Sequence, residues 1–132
     1  MKKLVKVVGA IIENENNEIL CALRSPQMCL PNMWEFPGGK IEKGETLKQA
    51  IEREIKEELS CDVKFIDVFS DNTHEYDNLI VNLITIKCKL ISGIPIANEH
   101  SKLIWLHREN LLSLNWAPAD IPAVNKLLLE KV

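Results

Sequence analysis

From Thr46 to Leu59 the chain carries good helix formers with no Gly or Pro, and such a stretch predicts a helix. At about 100° per residue, Leu47, Ala50, Ile51, Ile55 and Leu59 form one apolar arc; Glu54 and Glu58 project within that arc and Glu57 stands at its edge. A surface helix sets its glutamates opposite its buried face. Carboxylates gathered on a partly buried face repel one another and resist desolvation, so they call for a cation or a basic partner between them. Arg53 meets part of that need. A hard divalent cation, Mg²⁺ or Mn²⁺, suits the rest, because carboxylates on successive helical turns present oxygen ligands and Mg²⁺ is commonly completed by waters and substrate phosphates. The plain alternative is a solvated helix laced with Glu to Lys or Arg pairs. The loop in front weighs against it. Gly38 and Gly39, fixed behind Pro37, allow close backbone approach, and Lys40 sets a cation where an anion is welcome, beside the helix entrance.

The chain around this helix is ordinary in bulk. Its 132 residues suit one domain spanning 1–132, and 46% hydrophobic with 27% charged residues exclude a disordered or fibrous chain. The formal net charge of −3 disfavours a stable grip on duplex nucleic acid, which calls for a basic surplus. Cys21, Cys29, Cys61 and Cys88 form no C-x-x-C pair and sit among apolar neighbours, so free buried thiols in a reducing compartment are expected. Lys6 interrupts the first apolar stretch and no small-residue cleavage site follows, so a secretory signal is rejected. No apolar run approaches the roughly 20 residues a bilayer requires. The expectation is a cytoplasmic protein without membrane attachment, as monomer or homodimer.

Val5 to Ile12 and Glu18 to Leu23 read as strands of one hairpin across the Glu13 to Asn17 turn. Ser25 to Asn32, with Pro26 and Pro31, reads as an irregular loop. Val63 to Phe69 and Leu79 to Leu90 read as strands joined by a polar connection from Asp71 to Asp77. Leu103 to Leu106 is a short strand, Glu109 to Leu114 a short helix, and Ile121 or Pro122 to Lys131 a terminal helix. Strands mixed with two helices and no regular βαβ alternation predict an α/β fold, an α/β/α sandwich with a central mixed β-sheet.

Taken in order, Gly39, five residues, Glu45, seven residues, Arg53-Glu54-Ile55, one residue, Glu57-Glu58 and Leu59 resemble the Nudix box of the Nudix hydrolases. Trp34 to Glu42 and the late Ala117-Pro118-Ala119-Asp120 look like the MutT-like branch, so the resemblance covers nearly the whole chain. One box position departs: the family's glycine after the helix is Ser60 here. A left-handed cap at a non-glycine residue costs on the order of 1 kcal/mol.

The resemblance implies a Nudix-type sandwich and Mg²⁺-dependent hydrolysis of (deoxy)nucleoside triphosphates to monophosphate and pyrophosphate. It places Gly39, Glu54, Glu57 and Glu58 at metal-ligand positions, Glu54 as a candidate base with Arg53 orienting it, and Glu45 as a brace of the loop. Glu99 is a second candidate base or ligand, or an exposed loop acid. For substrate the candidates are Arg24, Lys40, Trp34, Trp116 and Asp120. The two tryptophans stack on a base or simply pack; Asp120 meets a nucleobase edge, caps the last helix, or does both. His74, His100 and His107 lack ligand spacing and receive no role. Sanitation of oxidised purine nucleotides such as 8-oxo-dGTP is the leading expectation, serving DNA repair through the nucleotide pool. CTP or dCTP pyrophosphohydrolysis is the alternative, and a noncatalytic nucleotide-sensing module ranks behind both.

Overall fold

The computed structural model describes residues 1–130. Two sheets and two helices are stacked so that each helix covers one side. β1 (Lys3–Ile12) is central to the larger sheet, of order β4-β1-β6-β5: it runs antiparallel to β4 (Gly38–Lys40) and parallel to β6 (Leu79–Ser92), and β5 (Asp62–Glu75) pairs antiparallel with β6. The smaller sheet is antiparallel, of order β3-β2-β7, from Trp34–Glu35, Glu18–Leu23 and Lys102–His107. The α/β sandwich with a mixed sheet is therefore found, with its strands divided between two sheets.

α1 (Leu47–Leu59) starts at Thr46, whose hydroxyl accepts from the Gln49 N–H while the Gln49 side chain accepts from the Thr46 N–H. This reciprocal cap fixes the register that turns Ala50, Ile51, Ile55 and Leu59 inward, against Val8, Ala10, Ile12 and Leu20. α2 (Ile121–Leu128) covers the opposite side, where Ala123, Val124 and Leu127 pack with Ile11, Ile19, Cys21 and Trp116. Adjacent residues of β1 thus serve two cores: Val8, Ala10 and Ile12 face α1, and Ile11 faces α2. Among the described residues no helix is long and apolar enough to cross a membrane.

Several sequence expectations need correction. β1 and β2 do turn at Asn14 to Asn17, but a single bridge, Glu13 to Ile19, joins them before they enter different sheets. Both strands are buried on both faces near the turn, so each needs its own hydrogen-bonding partners and a two-stranded hairpin does not suffice. The polar stretch from Asp71 is strand, extending β5 to Glu75, because Asn82 on β6 donates to Asp71 and the alternating polar side chains face water on an open ladder. Residues 108–113 form a 3₁₀ turn. α2 ends at Leu128, and Lys131, the expected end of the terminal helix, lies outside the described residues. Cys21, Cys61 and Cys88 are free and buried, whereas Cys29 is exposed in the irregular loop.

α1 ends at Ser60 in the left-handed conformation, φ 54° and ψ 36°, its N–H returning to the Lys56 carbonyl. Ser60→Gly should therefore stabilise the protein by about 0.5–1 kcal/mol, read as a higher urea midpoint at unchanged m-value. The gain falls short of the full left-handed penalty because the Ser60 hydroxyl also accepts from the Asn98 amide at 2.7 Å.

Candidate active site

β4 carries the close approach that Gly38 and Gly39 permit. A Cβ on Gly38 would land on the Val8 carbonyl, and one on Gly39 would land on the Glu54 carboxylate. The ladder of β4 on β1 thus holds the Gly39 backbone directly against the acidic face of α1.

Arg53 organises that face. Its Nε donates to Glu45 Oε2 at 2.6 Å and its Nη2 to Glu45 Oε1 at 2.8 Å, a two-pronged pair that holds the Glu45 carboxyl down at about 2. The same guanidinium donates to Glu54 Oε1 at 2.9 Å, to Glu57 Oε2 at 3.3 Å and to the Lys40 carbonyl at 3.1 Å. Glu45 is the loop brace, and Arg53 joins loop to helix.

Glu54 and Glu58 are enclosed, while Glu57 is 61% exposed. Burial raises the Glu54 carboxyl against the opposing pull of Arg53. For Glu58, burial first and then the Glu54, Glu99 and Glu35 carboxylates push it up to about 9. Glu58 Oε1 is buried without a partner. Among the described residues no three acidic, histidine or cysteine side chains close around one point. The donor set nevertheless suits a hard cation: an orphaned buried carboxylate oxygen, a second desolvated carboxylate beside it, and a glycine backbone in contact, all oxygen donors.

From Glu58 and Gly39 a cavity of about 570 Å³ opens between β1, the β5–β6 tip and the loop after β2. Lys40 lines one end, and Val5, Val7, Val81 and Leu83 make an apolar wall. Arg24, Glu35, Tyr76 and Asp120 add polar groups to the lining. Arg24 donates to Glu35 Oε1 at 2.6 Å, and Glu35 Oε2 meets His100 Nε2 at 2.8 Å. Asp120 is 5% exposed, its Oδ2 accepting from the Phe36 N–H at 3.0 Å. The next N–H back, on Ala119, donates to the Tyr76 hydroxyl at 3.0 Å.

The expected residues are thus sorted by the fold. Arg24, Lys40, Gly39, Glu58 and Asp120 line one cavity, with Glu54, Arg53 and Glu99 at its acidic end. Trp116 is not a stacking surface: it is 5% exposed, packs on Phe36 with ring centres 4.9 Å apart, and spends its indole N–H on the Leu111 carbonyl. Trp34 packs half-buried in the same cluster, outside the cavity lining. Asp120 does not cap α2 with its side chain, because a 3₁₀ turn runs straight into that helix and leaves Asp120 itself helical, at φ −87° and ψ −18°. His100, given no role from sequence, is buried against Glu35. Glu35 and Tyr76 were missed as well. Alternation along Trp34-Glu35-Phe36 could have pointed Glu35 away from its aromatic neighbours, but nothing local marks Tyr76.

Burial, and secondarily the Glu35 carboxylate, raise Asp120 well above the usual aspartate value. Stability linked to its proton is fully present below the unfolded value of about 3.9 and is lost as pH rises through the higher folded value. Wild-type unfolding free energy should accordingly fall over that interval relative to Asp120→Asn, measured by urea titration at a series of pH values.

A mixed-sheet sandwich that seats a box of helical glutamates against a diglycine strand defines a class, and residues 3–127 match the NUDIX domain model: the chain belongs to the Nudix hydrolase family. The 8-oxo-dGTP diphosphatase of Escherichia coli (strain K12) is 36% identical over 127 residues, 96% of this chain and 98% of its own. The CTP pyrophosphohydrolase of the same organism is 35% identical over 126 residues, 96% and 93% of the two chains. In solved structures, the DNA mismatch repair protein MutT (family Nudix hydrolase) from methicillin-resistant Staphylococcus aureus 252 is 55% identical, with a TM-score of 0.80 over 99% of this chain and 100% of that one.

Proposed function

We propose that this Nudix hydrolase cleaves (deoxy)nucleoside triphosphates to monophosphate and pyrophosphate with Mg²⁺, and that oxidised purine nucleotides such as 8-oxo-dGTP are its substrates. The observation that carries the reading is the partnerless Glu58 oxygen, buried beside Glu54, in a residue that lines the same cavity as Asp120. One end suits a metal-bound polyphosphate and the other suits a polar base edge.

Glu54, Glu57, Glu58 and the Gly39 carbonyl would hold the ion, with Mn²⁺ an acceptable substitute. When bound it supplies charge neutralisation for the phosphates and polarises the attacked phosphorus. Arg53 keeps Glu54 and Glu57 oriented, and Lys40 offsets phosphate charge at the mouth. Glu54 and Glu99 are the two carboxylates placed to accept the proton of the attacking water. Glu54→Gln against Glu99→Gln separates them, since loss of the base removes the acidic limb of the pH–rate profile. At the other end Asp120, already taken at one oxygen by the Phe36 N–H, turns the other to the base, with Arg24 fixed alongside by Glu35.

Cytosine triphosphates are the second reading, favoured by the 35% identity to a CTP pyrophosphohydrolase over 96% of this chain. The deciding experiment compares kcat/KM for 8-oxo-dGTP, dGTP, CTP and dCTP with Mg²⁺, following monophosphate and pyrophosphate separately. Preference for 8-oxo-dGTP supports the first reading and preference for CTP or dCTP the second. Turnover of neither class, or release of orthophosphate in place of pyrophosphate, overturns both.

A further inference from the structure

The β6–β7 connection, residues 93–101, carries Glu99 on an exposed stretch that is docked on Leu59 and Ser60, directly after Glu58 at the end of α1. A loop acid set beside a cluster of carboxylates needs its backbone held in place. The connection is tied at both ends: the Ile96 N–H donates to the Leu59 carbonyl, the Asn98 amide to the Ser60 hydroxyl, and the Ser101 N–H to the Leu23 carbonyl. Between those ties lies His100. Its side chain is 0% exposed, its Nε2 sits 2.8 Å from Glu35 Oε2, and its Nδ1 is buried without a partner.

A histidine present only to fill space wastes a polar atom, since Leu or Met would occupy the volume with no orphaned nitrogen. What those residues cannot supply is the donor to Glu35. Glu35 in turn is fixed by Arg24, and both line the nucleotide cavity. We propose that His100 is a positioning residue: buried and clamped to Glu35, it sets the backbone that aims Glu99 at the acidic cluster, and so ties the polar end of the cavity to the reacting end. The proposal rests on the reading of Glu99 as a carboxylate that acts in the hydrolysis.

His100→Met keeps the volume and deletes the donor; His100→Gln keeps both volume and a donor. In the full chain, His100→Met should lower kcat about tenfold with KM changed less than about twofold, and His100→Gln should recover most of the loss. In a Glu99→Gln background His100→Met should lower kcat no further. Amide hydrogen exchange, which needs no substrate, should quicken over residues 94–101 in His100→Met and stay unchanged in α1. Glu35→Gln weakens the same link from the other side and serves if His100→Met does not fold; it too should quicken exchange over 94–101. A full-sized loss in the Glu99→Gln background, a loss carried by KM, or unaltered exchange overturns the positioning role alone. Full kcat in Glu99→Gln itself overturns the reading of Glu99, and the positioning role with it.

Discussion

Glu58→Gln should reduce kcat on the order of 1,000-fold while KM and the fold survive, the largest effect expected of a single substitution here. Glu58 is the carboxylate that the fold leaves least satisfied: buried, facing Glu54 and Glu99, with one oxygen partnerless. Such a group is tolerable in the resting protein because burial favours its protonated form. In the proposed role a bound cation would hold it as an anion instead. Gln has the same shape and cannot make that exchange. In the presence of a chelator the Tm of the variant should not fall, because the substitution removes no packing and no satisfied hydrogen bond. The pairing of lost turnover with retained Tm is the measurement, by steady-state kinetics and thermal denaturation on the same preparations. Full activity in Glu58→Gln removes the ligand assignment; lost activity with a collapsed Tm would make Glu58 a structural group instead.

Arg53→Ala should lower kcat/KM about 100-fold and, unlike Glu58→Gln, also destabilise the protein by about 1–3 kcal/mol. The difference follows from what Arg53 touches. Its fork closes on both Glu45 oxygens, and its remaining N–H groups reach Glu54, Glu57 and the Lys40 carbonyl. Removing it frees the loop before α1 and leaves the desolvated Glu54 carboxylate without the cation that contacts it. Arg53→Lys restores a charge without the planar fork, so stability should recover in part while kcat/KM stays low. Equal recovery of both would show that charge alone is needed. Urea unfolding and kinetics on the three proteins decide it.

Local periodicity was enough to read α1 and its acidic face, and the resemblance to the Nudix box supplied the loop brace at Glu45 and the left-handed position at Ser60. These depend on neighbours a few residues apart, where a 3.6-residue turn or a single φ sets the geometry. The helical carboxylates within an apolar arc suggested a cation, against the plain alternative of a solvated helix, and the class of chemistry came from the resemblance. The partners of the strands are not written in that range. β1 and β2 carry the turn and the apolar pattern of a hairpin, and only the packing of α1 and α2 on opposite sides makes each strand seek its ladder elsewhere. The same holds for single side chains. Trp116 was open to stacking, though packing was the favoured reading, until the second core enclosed it, and Asp120 was open to capping α2 until the Phe36 N–H claimed its oxygen.

What the sequence by itself determined is the acidic helix and the glycine approach beside it, the half of the site proposed to hold a cation. Tertiary structure decided the other half: Arg24, Glu35, Tyr76, His100 and Asp120 lie far apart in the chain and meet through hydrogen bonds spanning as many as 84 residues. No local pattern encodes such contacts. They arise because closing two sheets between two helices buries these polar groups together, and each buried polar group must then find a partner among whatever the fold brings near.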